Sequence, residues 1–97
     1  MINLTNKEHE LYTILRDKKW YSYGISLIKR KIGINNTTEL KEISTSLSDK
    51  INDNVNFFSY NNVRYVGLES RRLDYERDKK AGINKVEKLI AIGAYIK

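Results

Sequence analysis

The 97 residues contain no cysteine and no proline. Without cysteine there is no disulfide framework and no thiol nucleophile, and a reducing compartment is permitted. Without proline, repeats or low-complexity tracts, nothing marks a linker between domains, and the length suits one modest core. A single histidine, His9, leaves too few ligands for a soft transition-metal site. It lies between Glu8 and Glu10 and reads as a solvated helix residue. There is no glycine-rich phosphate loop and no nucleophile-elbow serine. Glu39 and Glu42 stand three apart, as charged pairs on exposed helices commonly do. A tyrosine nucleophile for DNA cleavage needs a larger supporting site than this length offers. The expectation is a protein without catalysis, metal or cofactor. Long hydrophobic runs are also missing: Leu89 to Ile96 is the longest, against the roughly 18 residues that suggest a membrane span. The opening MINLTNKEHE is polar and unlike a signal peptide, so three glycosylation-type sequons count as chance and a cytoplasmic location is expected.

What is present is ordinary for a globular chain, 40% hydrophobic and 31% charged, except for a net charge of +6. That excess points to a polyanion. Nucleic acid is favoured over a membrane surface, because no long helix combines a basic face with a bulky apolar one. The charge is uneven. Residues 1–35 carry seven basic and three acidic side chains (+4), residues 36–68 three and four (−1), and residues 69–97 eight and five (+3).

The chain order can be read from capping and periodicity. Thr5 and Glu8 have capping-box spacing, followed by an apolar stripe of Leu11, Ile14 and Leu15, so a first helix is predicted from Thr5 to about Lys18-Lys19. Trp20 to Tyr23 favours an extended segment. A second helix, about Ile25 to Ile32, buries Ile25, Ile28 and Ile32, and Gly33 suits a left-handed cap. Asn36 and Glu39 resemble another capping box. Leu40, Ile43, Leu47 and Ile51 then form the clearest helical stripe, with Thr38, Lys41, Thr45 and Ser48 on or near the exposed side. Val55 to Tyr60 and Val63 to Leu68 read as a hairpin turning at Asn61-Asn62, which pairs Tyr60 with Val63, Ser59 with Arg64 and Phe58 with Tyr65. Val55, Phe57, Val66 and Leu68 then face a core. Residues 69–80 read as a helix of alternating charge, Gly82 as its interruption, and Asn84 onward as a last helix. The end of that helix, Leu89 to Ile96, is apolar all round and suits a subunit contact.

The segments LTNKEHELYTIL, LIKRKIGINNTTELKEI and VNFFSYNNVRYVGL, with an aromatic segment after the first, resemble the winged helix-turn-helix superfamily over residues 4–68. The resemblance implies an α+β fold of three helices, a short strand and a β-hairpin wing. Residues 1–68 form this domain, and 69–97 form a C-terminal helical extension that suits dimerisation. It implies double-stranded DNA as partner, with major-groove contacts from Thr37, Thr38, Lys41 and Thr45 and wing contacts from Asn61, Asn62 and Arg64. The basic run Lys29-Arg30-Lys31 falls where winged helices contact backbone phosphates, and Arg71 and Arg72 follow the wing where they can grip flanking phosphates. Each basic cluster also has the plainer reading of a solvated face. The third helix departs from the pattern, since Glu39, Glu42 and Asp49 offset Lys41 and Lys50. Arg64 on a narrow hairpin suits an A·T-rich minor groove instead.

An Asn-, Lys- and Ile-rich chain of this size is similar to small winged helices of low-GC plasmids and phages, among them partition adaptors, phage regulators and the TcpK-type accessory proteins of conjugation. These imply a sequence-specific DNA-binding homodimer acting on A·T-rich repeats within a larger nucleoprotein complex. A protein-interaction module using the acidic third helix, and an RNA-binding winged domain, are the alternatives.

Overall fold

The computed structural model describes residues 3–17, 20–60 and 62–80. These form an α+β architecture of four helices and one three-stranded antiparallel sheet, in the order α1 (Asn6–Leu15), β1 (Tyr23–Gly24), α2 (Ile25–Ile32), α3 (Thr37–Ile51), β2 (Val55–Tyr60), β3 (Val63–Leu68) and α4 (Glu69–Lys80). The sheet order is β1-β3-β2.

Local chemistry accounts for the helix boundaries. Thr5 Oγ1 accepts from Glu8 N–H and Glu8 Oε1 accepts from Thr5 N–H, a complete capping box that starts α1. The helix ends at Leu15, short of the predicted Lys18-Lys19; Arg16 closes it by donating its N–H back to Tyr12. Lys18 and Lys19 lie outside the described residues. α2 ends on Gly33 at φ 73°, and Lys7 Nζ from α1 donates to the Ile32 carbonyl there. The Asn36 side chain accepts from Glu39 N–H to start α3, and Asn52, left-handed at φ 52°, ends it.

The hairpin register is the predicted one, with Tyr60 opposite Val63, Ser59 opposite Arg64 and Phe58 opposite Tyr65. Asn62 adopts φ 65°, as a tight turn of this kind requires; Asn61 lies outside the described residues. Of the extended segment expected over Trp20 to Tyr23 only Tyr23 lies in a strand, which runs Tyr23–Gly24 and pairs with Val66 and Tyr65. Tyr21 leaves the sheet to receive α4 instead: it is buried, its ring meets Tyr75 edge-on at 5.5 Å, and its hydroxyl donates to Asp78 at 2.5 Å.

The core lies between the three-helix unit and one sheet face, filled by Leu11, Leu15, Ile28, Ile32, Leu40, Leu47, Val66 and Leu68. In α3 the buried line is Leu40, Ser44 and Leu47, while Ile43 and Ile51 flank it half-buried. Ser48, expected near the exposed side, is half-buried: its hydroxyl donates to the Ser44 carbonyl and accepts from Val55 N–H, tying α3 to the start of β2. α4 follows β3 directly. Asp53 accepts from both the N–H and hydroxyl of Ser70, capping the helix start from another loop. The expected interruption at Gly82 and the last helix, with its apolar end Leu89 to Ile96, lie outside the described residues. No helix among the described residues is long and apolar enough to cross a membrane.

Candidate nucleic-acid interface

The starts of α2 and α3 and the tip of the hairpin meet around a cleft of about 300 Å³. Gly24, Ile25 and Ser26 line it from the start of α2, Lys29 from that helix's last turn, Thr37 from the first residue of α3, and Asn62, Val63 and Arg64 from the hairpin. None of these is acidic. Gly24 is the N-cap of α2 and supplies no side-chain bond to the helix start. A Cβ there would meet nothing within 4 Å, so the first turn of α2 opens on free space. An uncapped helix start carries partial positive charge and free N–H donors. Lys29 Nζ reaches Thr37 Oγ1 at 3.4 Å, bridging the two helices across the Gly33 turn. Arg64 is exposed beside these groups.

Four predicted site residues, Lys29, Thr37, Asn62 and Arg64, thus come together although they span 36 positions of sequence. Arg30 and Lys31 are exposed on the last turn of α2 but do not line the cleft. Thr38 and Lys41 are exposed on α3; the Lys41 ammonium sits 5.9 Å from the centre of the Phe57 ring. The Thr45 hydroxyl donates to the Lys41 carbonyl at 3.0 Å, leaving only its acceptor capacity outward. Asn61 lies outside the described residues.

The arginines after the hairpin are placed differently from a phosphate grip. Arg71 is only 7% exposed: Nη1 donates to Asp74 at 2.5 Å, Nη2 reaches the Trp20 carbonyl at 3.4 Å, and the guanidinium lies 4.6 Å from the centre of the Tyr21 ring. Burial alone would raise the Asp74 pKa, but the bonds from Arg71 and Arg77 outweigh it and hold it low. Arg71 therefore fixes α4 to the aromatic segment rather than facing a ligand. Arg72 makes a two-oxygen contact with Glu69, which offsets its charge.

Lys50 also leaves the outward face of α3, because it donates to Glu8 Oε1 at 2.7 Å. The exposed charges along α3 are then Glu39, Glu42 and Asp49 against Lys41. Gly24 and Ser26 were absent from the sequence-predicted site. Their signal was a glycine, rather than a capping side chain, standing before the periodic run of α2. Comparison of the chain with protein-family models, curated proteins and solved structures returns no match.

Proposed function

We propose that this chain is a non-enzymatic, sequence-specific binder of double-stranded DNA with a winged helix-turn-helix fold. In this reading α1, α2 and α3 are the three-helix unit and β2–β3 the wing. The observation that carries the reading is the convergence of Lys29, Thr37, Asn62 and Arg64 on one acid-free cleft at an uncapped helix start. Such a cleft suits a backbone phosphate, held by N–H donors, a lysine and a hydroxyl. From that anchor Arg64 reaches into an adjoining A·T-rich minor groove, where narrowing strengthens the negative potential. α3 contributes less than a recognition helix usually does, because its exposed carboxylates oppose phosphate.

The setting that fits the composition is a plasmid or phage locus in the cytoplasm, in regulation, partition or conjugative transfer, as for the TcpK-type accessory proteins. The protein then acts as a homodimer on A·T-rich repeats, within a larger nucleoprotein complex. Selection from a randomised duplex pool, followed by titration of the recovered site across salt, tests this. An A·T-rich repeat bound with a steep salt slope supports it; weak, sequence-indifferent retention refutes it. The exposed acidic face of α3 favours one second reading, an interaction module for a basic protein, marked by co-purification with that protein and no salt-sensitive DNA retention.

A further inference from the structure

Among the described residues β2 is an edge strand, and its register determines which backbone groups face outward. In a hairpin closed by a two-residue turn, the pair flanking the turn exchanges hydrogen bonds, and bonded pairs then alternate. Tyr60, Phe58 and Asn56 therefore turn their N–H and C=O groups toward β3, while Val55, Phe57 and Ser59 turn theirs away. Two observed bonds fit this phase: Glu69 N–H donates to the Asn54 carbonyl across the sheet, and Val55 N–H donates outward to Ser48 Oγ. The outward groups of Phe57 and Ser59 have no partner among the described residues.

Natural edge strands usually carry a charge, a proline or a bulge that prevents pairing. The segment VNFFSY has none of these, and its six residues pair with β3 without interruption. On the sheet face away from the core, Phe58 stacks on Tyr65 with ring centroids 5.7 Å apart and planes inclined by 24°. Both rings are half-buried.

We infer that β2 pairs antiparallel with β2 of a second copy, about a two-fold axis through Phe58. This register is self-complementary. Phe57 of each copy exchanges both backbone bonds with Ser59 of the other, so every outward group of the two residues is satisfied. Phe58 then stands directly opposite Phe58 of the other copy, at the close spacing of a non-hydrogen-bonded pair. The two stacked pairs join into one row, Tyr65–Phe58–Phe58–Tyr65, across the axis. No like charges meet, because the paired strands carry none. Arg64 belongs to β3, one strand further out, and keeps its place at the cleft.

Sedimentation of the full chain over a concentration series, with two variants, tests the inference. Ser59→Pro removes an outward N–H that the hairpin does not use, which edge strands tolerate. The wild type is expected to sediment at twice the chain mass, and Ser59→Pro at the chain mass with an unchanged far-UV dichroism spectrum. Phe58→Cys introduces the sole cysteine, placed where a cross-strand disulfide fits. It is expected to form a covalent dimer on mild oxidation, with Glu42→Cys remaining monomeric. A monomeric wild type overturns the inference, as does a dimer that persists in folded Ser59→Pro, or equal cross-linking at positions 58 and 42.

Discussion

Glu8 is 3% exposed and accepts bonds from Lys50 at 2.7 Å and Ser46 at 2.5 Å, besides closing its own helix cap. The Lys50 bond first, then that of Ser46, brings its pKa from the ordinary 4.5 to about 2, against the opposing effect of burial. A carboxylate depressed in the folded state stabilises fully above its ordinary value and loses that contribution as pH falls. Glu8→Gln should therefore cost about 2 kcal/mol at neutral pH, discounted because Lys50 is partly exposed. The gap between variant and wild-type melting temperatures should close as pH falls from about 5 toward 2. The capping role of Glu8 was legible from its spacing to Thr5. Its ion pair was not, since nothing local marks a lysine 42 positions away.

Arg71 illustrates the same limit with a functional consequence. Read along the chain it is a cation following a hairpin; in the fold it is a buried brace against Tyr21 and Asp74. Arg71→Ala should lower stability by about 1–3 kcal/mol, measured by denaturant unfolding. It should leave DNA affinity unchanged under conditions where the variant is folded; an affinity loss comparable to that of Lys29→Ala would restore its phosphate role.

At the scale of elements, local signals placed most boundaries. The Gly33 cap, the Asn36 cap and the hairpin turn each depend on one or two residues with strong conformational preferences, and these fixed α2, α3 and the strand register. Elements governed by distant partners were harder to read. The aromatic segment kept only Tyr23 of its four expected strand residues, with Tyr21 bonded to α4 instead, and Ser48 turned inward to hold Val55. The cleft was half legible: Lys29, Thr37, Asn62 and Arg64 were named, but the uncapped start of α2 became meaningful only beside Arg64. This yields a separation of two effects. Gly24→Asp places a capping carboxylate at α2 in open space, so stability should rise by a few tenths of a kcal/mol. The same charge in the cleft should weaken duplex binding at least tenfold, an effect shrinking with added salt. Undiminished binding by mobility shift would exclude the cleft from the interface.

For the whole molecule, the net charge of +6 matters less than its distribution. Folding withdraws Lys50 and Arg71 into internal pairs and offsets Arg72, while Arg30, Lys31 and Arg64 stay exposed. Beside the cleft the positive charge is thereby that of α2 and the hairpin, while the exposed side of α3 carries mainly carboxylates. On the proposed function, the cleft and hairpin rather than α3 should then dominate duplex affinity. The decisive measurement compares Arg64→Ala, Lys29→Ala and Lys41→Ala on one selected duplex at fixed salt. Arg64→Ala should lose about 1–3 kcal/mol of specific affinity, with discrimination against G·C substitutions reduced. Lys29→Ala should weaken all duplexes alike and lower the salt slope by about one. Lys41→Ala should change little. A dominant loss at Lys41, with Arg64 and Lys29 near wild type, would contradict the account and return recognition to α3.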